Sequence, residues 1–271
     1  MRAIRCAVVV LLVAGIVAVV GAQPPRQQGG RGGFGFGFGG GDVSTLVLTN
    51  AALQDELKIT DAQKEKFKSV ADKQAELNKK RGALFGGGKG GKGGGGDKDK
   101  RAELQEEGKK VAEEVKKVLD TELTSDQKKR LKQISVQVLS VNAFADPEAK
   151  SEGARFGFGG FSDAQKATMK EVGEALKLSD GQKTKIKEIT DEYSKDRSAI
   201  RKDVFGEGNR GGFDAEKQKD FAAKSGKLTT ETLSKIAAVL DDGQKAAWKE
   251  LTGEAFDTSK LNAPRVVPKK D

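Results

Sequence analysis

Apolar residues recur along this chain at threes, fours and sevens, and strand-length alternation is confined to one glycine/phenylalanine stretch near the start. That pattern predicts an all-α protein with no sheet. From Asp42 a short helix is predicted to Glu56, anchored by Leu46, Leu53 and Leu57, with Asn50 as a cap within it. A longer helix follows, with Phe67, Val70, Leu77 and Leu84 as its stripe. Gly86 to Gly96 is a glycine–lysine loop that no regular helix tolerates. A third helix carries Leu104, Val111, Val115 and Val118, although Gly108 weakens it. A fourth carries Leu131, Ile134, Val138 and Val141 and ends by Pro147. The second half repeats the plan. Met169, Val172 and Leu176 anchor a short helix, and Ile186, Ile189, Tyr193, Ile200 and Val204 line a long one. Phe221, Leu228, Ile236 and Val239 follow, then Trp248, Leu251 and Phe256.

The helix starts share a signature. Leu57-Lys58-Ile59-Thr60-Asp61-Ala62-Gln63 returns as Leu176-Lys177-Leu178-Ser179-Asp180-Gly181-Gln182. Shorter versions are Leu123-Thr124-Ser125-Asp126-Gln127, Leu240-Asp241-Asp242-Gly243-Gln244 and, weakly, Phe161-Ser162-Asp163-Ala164-Gln165. The oxygen of Thr60, Thr124, Ser179 or Asp241 accepts a bond from an unpaired amide of the first turn. Gln63, Gln127, Gln182 or Gln244, three positions on, reaches back to the cap's own amide, and the intervening acid favours the positive end of the helix dipole. These eight residues form a helix-capping motif.

The boxes also date the chain as a duplication. They lie 64 positions apart in the first half (Thr60 to Thr124) and 62 apart in the second (Ser179 to Asp241), each time with a glycine-rich turn between. Phe205-Gly206-Glu207-Gly208 matches Phe85-Gly86-Gly87-Gly88. The expected architecture is therefore all-α, with two tandem amphipathic helical units joined and preceded by Gly/Phe-rich segments. The units span 42–147 and 162–256. Around them lie a disordered arm (23–41), a linker (148–161) and a disordered tail (257–271).

Composition narrows the function. Residues 1–22 read as a secretory signal, with Arg2 and Arg5 ahead of an apolar run and Val20-Gly21-Ala22 as the cleavage site. Cys6 lies within it, so the mature chain has no cysteine and relies on core burial or association. The net charge of +9 becomes +7 once those two arginines are removed (47 basic against 40 acidic residues). This modest excess suits solubility first and attraction to an anionic membrane surface second. With no histidine, no mature cysteine and no Gly-x-Ser-x-Gly serine, no catalytic residue, metal ligand or cofactor site is expected. The lysine-rich loop offers no calcium site, and Gly86-Gly87-Gly88-Lys89 lacks the following Ser or Thr of a phosphate loop.

At the paired boxes the chain resembles the Spy/CpxP family of exported helical proteins, marked by a twice-occurring Leu-Thr-x-x-Gln. The stretches Leu57 to Lys64 and Leu123 to Lys129 are similar to the two family copies, across roughly residues 43 to 145 and, more loosely, 162 to 256. The second half departs, with Ser179 for Thr and Asp241-Asp242-Gly243 for Thr-x-x. The resemblance implies a thin, curved, usually dimeric helical cradle acting as an ATP-independent chaperone or envelope-stress sensor. Two family units fused in one chain would form a pseudo-dimer, unless the whole chain forms a homo-oligomer. The implied partners are unfolded or partner proteins, and the implied location is the periplasm.

The stripe of Phe67, Val70, Leu77, Ile186, Ile189 and Tyr193 is then the candidate client-binding surface. The plainer reading makes the same residues core. A second function class is a structural or polyanion/nucleic-acid-binding envelope protein that uses the basic glycine-rich loops and the Arg-Gly-Gly arm. Nucleic acid is the disfavoured partner.

Overall fold

A computed structural model describes residues 42–85, 98–148, 161–206 and 214–262. Residues 1–41, where the expected signal and Gly/Phe arm fall, and residues 86–97, 149–160, 207–213 and 263–271 lie outside the described residues. Helix occupies 84% of what is described, and no strand occurs among those residues. The elements are α1 (Val43–Leu46), α2 (Ala51–Glu56), α3 (Asp61–Phe85), α4 (Lys98–Glu122), α5 (Ser125–Leu139), a first 3-10 turn (Ser140–Phe144), α6 (Asp163–Leu176), α7 (Asp180–Phe205), α8 (Ala215–Val239), α9 (Asp242–Thr252) and a second 3-10 turn (Thr258–Asn262).

Side-chain caps explain most of the starts. Thr60, Thr124, Ser162, Ser179 and Asp241 each accept the backbone N–H three residues on, and the glutamine there accepts the cap's own N–H. Even the weakest echo, at Ser162, makes the full reciprocal box. Asn50 caps α2 through Leu53 N–H at 2.9 Å, so the single short helix expected over 42–56 is two helices, broken where the cap sits.

The helices form two compact units. Among the described residues, one comprises 42–135 with 258–262, the other 136–257. In the first, α3 and α4 pack as a hairpin, with Phe67, Val70 and Leu77 on one helix and Val111, Val115 and Leu119 on the other all buried. Gly108 does not interrupt α4, and the exposed Arg81 guanidinium lies over it. In the second unit α7 and α8 pair. Ile186, Tyr193, Ile236 and Leu240 cluster with Val141, and Tyr193 Oη lies 3.1 Å from Thr229 Oγ1. A further cluster there joins Met169, Val172 and Leu176 of α6 to Val136, Leu139 and Ala143, with Trp248 against it.

In packing, the chain divides at 135/136 and again at 257/258. Each unit takes in the end of the other repeat: one the last turn of α5 and the first 3-10 turn, the other the second 3-10 turn. The first 3-10 turn packs on α6, and the second packs on α2. The physical reason is burial. Val136, Leu139 and Ala143 find their apolar partners on α6, and Leu261, only 6% exposed, finds its place by Asn50. The segment beginning at 257, expected as tail, is thus ordered through Asn262.

Candidate functional site

The capping glutamines do more than close their own helices. Gln63 Oε1 accepts the Thr60 N–H at 2.9 Å, while its Nε2 donates to the Glu122 carbonyl at 2.6 Å and to Gln127 Oε1 at 2.8 Å. Gln127 reciprocates. Its oxygen accepts the Thr124 N–H at 2.9 Å, and its nitrogen donates to the Leu57 carbonyl at 3.1 Å and to Gln63 Oε1 at 3.2 Å. Each glutamine therefore caps the start of its own helix and the end of the helix preceding the other box. The second unit repeats the arrangement. Gln182 Nε2 reaches the Val239 carbonyl and Gln244 Oε1 at 3.0 and 2.7 Å. Gln244 Nε2 reaches the Leu176 carbonyl and Gln182 Oε1, both at 3.0 Å.

This geometry explains why the four paired boxes end in Gln and not Glu. A capping box alone needs only an acceptor at that position, which Glu supplies equally well. The cross-pair needs two N–H donors as well, which only the carboxamide has. Gln63 and Gln244 are each 9% exposed, so the donors and acceptors are satisfied away from bulk water. Each such neutral bond contributes about 0.5–1.5 kcal/mol, and leaving one unmade in the interior costs about 1–3. In the first unit Arg130 adds a brace, donating to Glu56 Oε1 through Nε at 2.8 Å and Nη2 at 2.6 Å.

Sequence reading located all eight capping residues, and the structure brings them together in two groups of four. The glutamine-to-glutamine contact was missed, although the invariant choice of Gln was its signal. Two further amides were missed. Asn50 was seen only as a cap, and Gln137 not at all. Gln137 Nε2 donates to the Thr252 and Glu254 carbonyls at 2.6 and 2.7 Å, and its Oε1 accepts the Phe256 N–H at 2.8 Å. Nothing in the local sequence marks Gln137.

The stripe proposed as a client surface lies inside. Phe67, Val70, Leu77, Ile186 and Tyr193 are all buried, at 8% exposure or less, and Ile189 is half-buried. Hairpin pairing sets stripe against stripe, so in this conformation the residues are core and not surface.

Charges bind the hairpins from outside. Lys73 meets Glu114 at 2.7 Å and Lys80 meets Glu107 at 2.7 Å between α3 and α4. Between α7 and α8 the polarity reverses, with Glu192 on α7 and Lys235 on α8 at 3.0 Å. Lys224 bridges Asp203 and Asp220 at 2.8 and 3.1 Å, and its hydrogen bond holds the Asp203 carboxyl below the usual carboxylate range. The 119-residue offset relating Thr60 to Ser179 puts Asp196 where the first hairpin has Leu77. There α7 and α8 leave an open recess of about 430 Å³, lined by Asp196, Ala199, Ile200, Lys224, Leu228 and Glu231 among others. No cluster of three or more acidic, histidine or cysteine side chains suited to a metal occurs among the described residues, and no described helix is long and apolar enough to cross a membrane.

Fold and junctions together define the class: an all-α protein of paired helical hairpins, locked at their bases by cross-bonded glutamines. No protein-family model, curated protein or solved structure matches the chain.

Proposed function

We propose that this is an exported, non-enzymatic helical binding protein of Spy/CpxP type, acting as an ATP-independent chaperone or envelope-stress accessory protein on unfolded or partner polypeptides. The observation that carries the reading is the junction geometry. The residues of the Leu-Thr-x-x-Gln-like motif fill one structural role twice in each repeat, a role that isolated capping boxes do not require. Client contact cannot use the buried stripe as it stands. It uses surfaces outside the hairpin interiors, where lysines are dense and can steer acidic stretches of a client. Binding by surface contact needs no nucleotide and no bond chemistry, in keeping with a sequence that carries no catalytic constellation.

Aggregation of several unrelated unfolding clients, followed by light scattering without ATP, tests the proposal. Molar excess of the folded protein should delay aggregation, and added salt should weaken but not abolish the effect. No delay for any client would end the chaperone reading. Binding that vanishes entirely with salt would favour a polyanion-binding envelope protein.

A further inference from the structure

The second 3-10 turn is held in its unit by a side chain more than two hundred positions upstream. Asn50 is 6% exposed and its carboxamide is fully used. Oδ1 accepts the Leu53 N–H to cap α2, while Nδ2 donates to the Lys260 carbonyl at 3.1 Å and the Leu261 carbonyl at 3.3 Å. Leu261 is the buried side chain of the segment, and Lys260 beside it is exposed. The seat therefore reads two successive backbone carbonyls and one leucine. Carbonyls are common to every peptide, so this recognition asks little of sequence beyond the leucine.

The matching place in the other repeat is built otherwise. The same 119-residue offset takes Asn50 to Met169, and the 117-residue offset relating Thr124 to Asp241 takes Phe144 to Leu261. Met169 sits in an apolar cluster with Ala143 and Leu139, and the first 3-10 turn follows α5 directly in sequence, the chain turning at Ser140 (φ 53°) with no linking residues between them. The second turn is separated from α9 by the non-helical residues 253–257, so it can leave its seat without unwinding a helix.

We propose that the Asn50 seat on α2 is a peptide-binding site closed by the chain's own Thr258–Asn262 strap, which a leucine-bearing peptide presenting two successive carbonyls can displace. The strap is at once template and competitor. Such a site would serve the client binding proposed above and rests on that reading for its use. Its existence is decided by direct peptide binding, whatever the aggregation assay shows.

The probe is a fluorescent peptide with the sequence of residues 257–264, titrated into the full chain and read by anisotropy. The L261A chain, its own strap loosened, should bind at least tenfold more tightly than the wild type. Adding Asn50→Asp keeps an acceptor for the α2 cap but removes both donors to the strap, and binding should fall about tenfold. Equal binding by wild type and L261A, or indifference to Asn50→Asp, overturns the proposal. If circular dichroism shows that L261A does not fold, amide exchange in the wild type decides. Excess peptide should speed exchange across residues 258–262, and unchanged exchange at the highest peptide concentration rejects the site.

Discussion

Asn50 and Met169 hold matching places in the two repeats, and each meets the end of a repeat: Met169 the last turn of α5 and the first 3-10 turn, Asn50 the second 3-10 turn. Met169 does so by apolar contact, within a cluster that includes Val172, Leu176 and Ala143. Asn50 does so with two N–H groups on backbone carbonyls. The difference is one of energy and of exchange. Burying a methionine removes apolar area from water at about 25 cal/mol per Å², whereas two neutral hydrogen bonds contribute net about 0.5–1.5 kcal/mol each because water competes for the same groups. A duplicated fold has thus kept one clasp greasy and made the other polar, directional and easier to open. The hairpin interiors diverge in the same direction. Leu77 closes the first, while Asp196 leaves a recess in the second.

The largest effects should come from the interiors. Phe67→Ala, at a fully buried site, should cost about 3–5 kcal/mol in urea unfolding, and Met169→Ala about 2–5. If Met169→Ala cost no more than Asn50→Asp, the contrast between greasy and polar clasps would fail. Next come the junctions. Gln63→Glu and Gln244→Glu keep the capping acceptor but lose both donors and set a carboxylate against a carbonyl, at a cost of about 1–3 kcal/mol. The introduced carboxyl should titrate above its unfolded value, because burial and the carbonyl both disfavour its charge. The folded state then binds more protons than the unfolded, so these variants lose stability as pH rises from 4 towards 7. Equal stability across that range would mean the glutamine nitrogens do not carry the junction. Thr60→Ala and Ser179→Ala should be milder, about 1 kcal/mol each by thermal unfolding.

Much of this was legible in sequence, for physical reasons that also mark where legibility stops. Helix starts are local: a cap and its glutamine lie three residues apart, and all five boxes, Ser162 included, form as written. The stripes gave the all-α class because a helix repeats its face every 3.6 residues. What a face packs against is not local. The stripe of Phe67 and Tyr193 read equally as surface or core, and only the hairpin pairing makes it core. The exchanged segments were likewise hidden. Nothing near Val136 says that it packs with Val172, nor near Leu261 that Asn50 awaits it. Gln137, whose partners lie at 252–256, carries no periodic or capping mark at all.

The smallest expected effect tests how alike the repeats remain. Lys58 and Lys177 both sit in the left-handed region, at φ 53° and 45°, a conformation that favours glycine. Each follows a leucine whose carbonyl accepts from a junction glutamine, Leu57 from Gln127 and Leu176 from Gln244. The left-handed residue turns the chain out of the short helix, and the Ile59 N–H then bonds back to the Gln54 carbonyl at 2.8 Å. A side chain at such a position is strained by about 1 kcal/mol or more, offset in part by the greater freedom glycine has when unfolded. Lys58→Gly and Lys177→Gly should therefore each raise stability by about 0.5–1 kcal/mol. Lys58→Ala and Lys177→Ala, which keep the Cβ, should not. Equal gains in both repeats would show that the turn geometry alone matters at the junction. A loss at Lys58 with a gain at Lys177 would show that the first repeat uses its lysine, and the polar clasp at Asn50 would then be only one of its departures from the second.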